Sequence, residues 1–120
     1  MNGLRIMVVE DDAVIASLFS EVLEGMGFDV CAVEGNEADA VASAARCRPD
    51  LMIVDAQLGT GSGIKAIDEI LLNGPMPHLF VTGNSLRVRA LRPDAVVIQK
   101  PFFEADLARA IEHVVKTATC

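Results

Sequence analysis

The sequence predicts an α/β fold, a doubly wound five-stranded parallel sheet with helices on both faces. Strand and helix signals alternate five times along the 120 residues, which is the pattern of successive βαβ units. The strand signals are short and nearly continuous apolar runs, as expected of strands covered on both faces. Four of these runs end in a side chain able to do chemistry. The crossovers are expected to be right-handed, following strand twist.

The first strand is read over Leu4 to Val9, continuous apart from Arg5. Val14, Ile15, Leu18, Phe19, Val22, Leu23 and Met26 then recur at helical spacing. Asp11 or Asp12 can cap that helix, and Gly27 stops it. Phe28 to Val33 reads as the second strand. Asn36 caps an Ala-rich helix to about Cys47, and Pro49-Asp50 leads into the third strand, Leu51 to Val54. Gln57 to Gly63 is Gly-rich and reads as a flexible loop. It lacks the last Gly of a dinucleotide fingerprint, where Ile64 stands, and the Gly-Lys-Ser/Thr ending of a P-loop. Ser62 caps a third helix carrying Ile64, Ile67, Ile70 and Leu71, which Asn73-Gly74-Pro75 ends. His78 to Val81 is the fourth strand and Ala95 to Ile98 the fifth. Between them, Gly83 to Asp94 holds a helix of about two turns. Its stripe of Leu86, Val88 and Leu91 is poor, and it is expected to be the least stable part. The last helix starts after Pro101 and buries Leu107, Ile111, Val114 and Val115.

One domain spanning residues 1–120 fits this length, and 52% apolar residues argue against disorder. A net charge of −7 disfavours a nucleic-acid surface. No run is long enough to span a membrane and no signal-peptide layout is present, so a cytoplasmic protein without a membrane partner is expected. Cys31, Cys47 and Cys120 follow no metal-ligand spacing. Cys31 reads as a small buried hydrophobe and the others as incidental thiols in a reducing compartment. Trp and Tyr are absent, which removes a base-stacking platform.

In an open parallel sheet the C-terminal strand ends share one edge, where ligands bind. Asp55 follows Leu51-Met52-Ile53-Val54, and Glu10-Asp11-Asp12 follow Ile6-Met7-Val8-Val9. Thr82 closes Leu79-Phe80-Val81, and Lys100 closes the run Val96-Val97-Ile98. Glu10, Asp11 and Asp55 offer hard oxygen ligands that suit Mg²⁺, or Mn²⁺ as an alternative. One of the two adjacent acids would ligate directly and the other through water, while Asp12 reads as a helix cap. Asp55 as a nucleophile needs a metal to screen phosphate charge, a donor to the phosphoryl oxygens and a neutralising cation. Thr82 and Lys100 supply the latter two. His78 and His113 have no Ser or Cys partner at sensible positions and read as non-catalytic.

These residues resemble the receiver domain of two-component response regulators, over essentially the whole chain. The carriers are Val8-Val9-Glu10-Asp11-Asp12, Pro49 to Asp55, Val81-Thr82-Gly83 and Lys100-Pro101-Phe102. The resemblance implies a flavodoxin-like receiver fold, and a phosphoprotein switch rather than an enzyme acting on other molecules. It implies that Asp55 accepts a phosphoryl group from a phosphohistidine of a histidine kinase or phosphotransferase. It implies Mg²⁺ held by Asp11, Asp55 and the backbone carbonyl of Gln57, with Glu10 acting through water. Thr82 and Lys100 would bind the phosphoryl group, Gln57 and Asn84 would flank the path of the attacking water, and the Lys100–Pro101 bond would be cis. A single-domain regulator is expected, working by protein contact or phosphorelay, as a monomer or a phosphorylation-dependent dimer.

Three departures from the family pattern stand out. Val97 replaces the usual aromatic three residues before the Lys, so an aromatic rotamer switch cannot operate there. Gly59 replaces a common Pro, and the segment from Thr82 to Lys100 is short. Pro77 to Gly83 resembles the alphaproteobacterial subset called FAT GUY receivers, which implies a remodelled or mobile fourth helix and kinases of the HWE or related type. Two other classes fit less well. A phosphohydrolase of the haloacid dehalogenase type wants a second Asp two residues after the nucleophile, where Gln57 stands. A phosphorylation-independent interaction module leaves the joint presence of Glu10, Asp11, Asp55, Thr82 and Lys100 without a reason.

Overall fold

A computed structural model describes residues 3–119. Five parallel strands form one sheet: β1 (Arg5–Val9), β2 (Asp29–Glu34), β3 (Leu51–Asp55), β6 (His78–Thr82) and β7 (Val97–Gln99), in the order β2-β1-β3-β6-β7. Two further pairs of residues, β4 (Gln57–Leu58) and β5 (Gly61–Ser62), make an antiparallel ribbon after β3. The helices are α1 (Ala13–Gly25), α2 (Glu37–Cys47), α3 (Gly63–Leu71), α4 (Ser85–Leu91) and α5 (Glu104–Thr119). This is the predicted flavodoxin-like topology, whose strand order reverses at β1 and β3.

The continuous apolar strands divide their side chains between two cores, because successive residues point to opposite faces. Ile6, Val8, Ile53, Leu79 and Val81 pack with Phe19 and Leu23 of α1 and with Leu107, Ile111 and Val114 of α5. Met7, Val9, Met52, Val54 and Phe80 pack with Ala40 and Ala44 of α2, with Ile64, Ile67 and Ile70 of α3, and with Val88 of α4. Arg5 interrupts the first apolar run for a reason outside the strand. Its Nη1 donates to the carbonyls of Cys47 (2.7 Å) and Arg48 (3.2 Å), at the end of α2, where unsatisfied carbonyls favour a cation.

Several expectations need correction. The apolar stripe of α1 is wider than its buried face: Val14 and Leu18 are 70% and 55% exposed. The Gly-rich stretch after Asp55 is not a free loop but the β4–β5 ribbon, fastened by Ser62 N donating to Glu37 Oε1 at 2.6 Å. Cys31 is half-buried rather than buried, and burial pushes its thiol pKa up. Cys120 lies outside the described residues. The second strand begins and ends one residue later than read. The Lys100–Pro101 peptide is cis, as expected.

The fourth helix forms, and at seven residues it is the shortest. Two arginines, Arg89 within it and Arg92 at its C-terminal cap, are engaged. Arg89 reaches Ser85 Oγ (3.4 Å) and Val97 O (3.3 Å). Arg92 pairs with Asp68 of α3. Among the described residues, no helix is long and apolar enough to cross a membrane.

Candidate functional site

The C-terminal edge of the sheet gathers the acids. Glu10 follows β1 and is only 4% exposed. Its Oε2 accepts from the Asp12 N–H at 3.1 Å. Asp12 itself caps α1, with Oδ1 accepting from Val14 N (2.9 Å) and Ile15 N (3.2 Å), an arrangement that satisfies otherwise orphan amides. Asp12 therefore faces its own helix, while Asp11 lies exposed beside the site. Asp55 ends β3 and is 9% exposed. Ligand oxygens of Glu10, Asp11 and Asp55 all lie within 4.8 Å of one another.

Each oxygen of Asp55 has a partner. Oδ1 accepts from the Gln57 N–H at 2.9 Å, and Oδ2 from Lys100 Nζ at 2.8 Å. The same ammonium reaches Glu10 Oε1 at 3.4 Å. One cation thus serves a crowded acidic cluster. Burial raises the Glu10 pKa, opposed by the Asp12 amide and Lys100 and assisted by the charge of Asp55, and the balance stands at about 7. Burial works to lower the pKa of Lys100, but its hydrogen bond and charge pairing with Asp55, then with Glu10, outweigh this and raise it.

Thr82 ends β6, the neighbour of β3, and is buried at 5% exposure. Its Oγ1 accepts from Asn84 N at 3.0 Å, and its carbonyl accepts from Lys100 N at 2.8 Å. Thr82 and Lys100 thus sit on adjacent strand ends with their backbones joined. The Gln57 side chain turns to the Gly59 carbonyl at 3.4 Å, and Asn84 Oδ1 caps α4 through Arg87 N at 3.2 Å. The two histidines lie elsewhere. The His78 ring packs edge-on against Phe80 with Nδ1 2.8 Å from Met76 O, and His113 is exposed on α5.

Two supports of the site escaped sequence reasoning. Gly63 opens α3 directly against the end of β3, and a Cβ there would stand 2.0 Å from Asp55 O and 2.6 Å from Val54 Cγ1. Its N–H also donates to Ala56 O at 3.0 Å. The signal was present as a glycine at a first helical position, where Ser, Glu or Pro is commoner. Gln99, the last residue of β7, bonds through its side chain to Ser85 N and Gly83 O at the start of α4 and to the carbonyl of Lys100. No local pattern marks it.

Residues 6–112 match the response regulator receiver domain family. The chain belongs to this family. Phyllosphere-induced regulator PhyR of Methylorubrum extorquens is 33% identical over 113 residues, which are 91% of this chain and 42% of that protein. Transcriptional regulatory protein PdtaR of Mycobacterium tuberculosis is 33% identical over 92% of this chain and 56% of its own length. The crystal structure of the response regulator PhyR from Brucella abortus superposes with a TM-score of 0.88 at 28% identity, covering 98% of this chain and 49% of that one. The chain spans about half the length of these relatives. As a receiver domain it is a component of two-component signalling, and the strand-end cluster lies where the ligand edge of such a sheet is expected.

Proposed function

We propose that this receiver domain, taken as one unit over residues 1–120, is a cytoplasmic phosphoacceptor switch. Asp55 accepts a phosphoryl group from a phosphohistidine of a histidine kinase or phosphotransferase. The observation that carries this is the setting of Asp55: nearly buried at a strand end, with one oxygen held by Gln57 N–H and the other by Lys100. An Asp55 oxygen forms the bond to phosphorus as the phosphorus–nitrogen bond of the donor breaks, its electron pair returning to the imidazole. Lys100 then neutralises the added charge, and the Thr82 hydroxyl donates to a phosphoryl oxygen. These roles follow from charge-matched, preorganised donors.

The donor set fits a divalent cation. Three carboxylates with one ammonium leave surplus negative charge, and carboxylate oxygens suit Mg²⁺ or Mn²⁺. Asp11, Asp55 and the Gln57 carbonyl would hold the ion, with Glu10 acting through water. When bound, it supplies screening of the incoming phosphoryl charge. Two further features support the reading. An apolar groove of about 520 Å³ between α1 and α5, bordered by Ile15, Leu18, Phe102 and Lys100, opens beside the site and suits a helical donor partner. Pro77 to Gly83 and the short α4 support placement in the FAT GUY subset.

The raised pKa of Glu10 makes both stability and metal affinity depend on pH. A carboxyl whose folded pKa is raised binds more protons folded than unfolded between the two pKa values. Glu10 therefore contributes stability below its ordinary 4.5 that is lost as pH rises through about 7. With chelator present, Tm is expected to fall across that window, and Glu10→Gln to flatten the fall. A protonated Glu10 would withhold its charge and its water-mediated contact from Mg²⁺, so affinity for the ion should rise with pH, by up to about tenfold per unit below 7. Calorimetric titration at several pH values checks this. The same slope in Glu10→Gln would contradict it. Asp11→Ala is expected to remove most of the Mg²⁺-induced rise in Tm.

A further inference from the structure

We infer that Gln99 is a positioning residue that couples Lys100 to the first turn of α4, and so carries the state of Asp55 to that helix. The inference rests on the phosphoacceptor reading above. The β6–β7 ladder ends where Thr82 pairs with Gln99, and Lys100 N donates to Thr82 O at 2.8 Å. Beyond that point the strands diverge, and the Gln99 side chain continues the ladder. Its Oε1 accepts from Ser85 N at 2.9 Å. Its Nε2 donates to Gly83 O at 2.7 Å and to Lys100 O at 3.1 Å.

One side-chain amide therefore bridges the chain just after Thr82, the first residue of α4 and the backbone of Lys100. Thr82 and Lys100 are the two groups that would close on a phosphoryl group, so movement of either is passed to this amide. No aromatic is available at Val97 to sense such movement. Nor is there slack in α4, since its N-terminal turn is held by Asn84 and Gln99, and its C-terminal end by Arg92 on Asp68. A primary amide suits the role because it is donor and acceptor at once, with a fixed angle between the two. Gln99 uses both capacities on backbone groups, which cannot be lost by side-chain rotation at the other end.

The test uses amide NMR of the full chain with and without beryllofluoride and Mg²⁺. In the wild type, Ala56 and Gln57 report occupancy at Asp55, while Arg87 to Leu91 report α4. Gln99→Met keeps the length and removes all three bonds. Ser85→Pro removes the bonded N–H from the other side, at a first helical position that proline tolerates. Loss of one such bond should lower Ser85 protection in Gln99→Met on the order of fivefold. In both variants Ala56 and Gln57 are expected to shift on adding beryllofluoride. Arg87 to Leu91 no longer respond in Gln99→Met and respond less than in the wild type in Ser85→Pro, which keeps the Gln99 bonds to Gly83 O and Lys100 O. A wild-type-sized α4 response in either folded variant overturns the role of Gln99. Absence of any shift at Ala56 and Gln57 in the wild type would instead overturn the phosphoacceptor reading beneath it.

Discussion

Asp55→Asn is expected to remain folded and to take up no phosphoryl group. The amide oxygen can still accept from Gln57 N–H, so the end of β3 keeps its local bond. The amide has no anionic oxygen to attack phosphorus, and Lys100 loses its nearer partner. Removing the charge of Asp55 also withdraws one of the causes that raise the Glu10 pKa, so that carboxyl should titrate lower in the variant. Labelled transfer from a phosphohistidine donor should fall below detection, while circular dichroism and a cooperative melt show a folded chain. Wild-type labelling of the variant would place the acceptor elsewhere.

Gly63→Ala is expected to be among the most damaging single substitutions outside the acidic cluster. Its Cβ would overlap the carbonyl of Asp55 at 2.0 Å and the Val54 side chain at 2.6 Å. Neither can yield cheaply, since one is backbone and the other is fully buried. Overpacking of this kind costs about 3 kcal/mol, a fall in Tm of roughly 10 °C for a domain of this size. The displaced carbonyl belongs to the acceptor residue, so phosphoryl uptake should fall with stability. Gly25→Ala provides the contrast. Gly25 ends α1 with nothing within 4 Å of a new Cβ, and the change should stabilise by about 0.5 kcal/mol. Equal melting of Gly63→Ala and the wild type would remove the close approach from the account.

The strands and the acidic edge were legible because they depend on local information. A continuous apolar run specifies a strand covered on both faces, and the residue that ends it specifies which side chain meets the ligand edge. Asp12 could be separated from Asp11 and Glu10 because capping has a spacing signature. Three features resisted reading, for a shared reason. Gln99 acts across 14 and 16 residues of sequence, Arg92 across 24 and Glu37 across 25, so each partner is fixed by packing rather than by pattern. The partners of Arg89 and Arg92, the β7 backbone and Asp68, are likewise supplied by packing. The apolar width of α1 misled in the opposite direction, since Val14 and Leu18 satisfy helical spacing yet face outward.

The phosphoacceptor claim is tested most directly by incubating the wild-type chain with acetyl phosphate and Mg²⁺, then taking intact mass and mapping the adduct. A single phosphoryl adduct is expected on the peptide containing Asp55, dependent on Mg²⁺ and absent with chelator. Steady phosphate release from many unrelated esters without an adduct, or an adduct mapped to another residue, would contradict it.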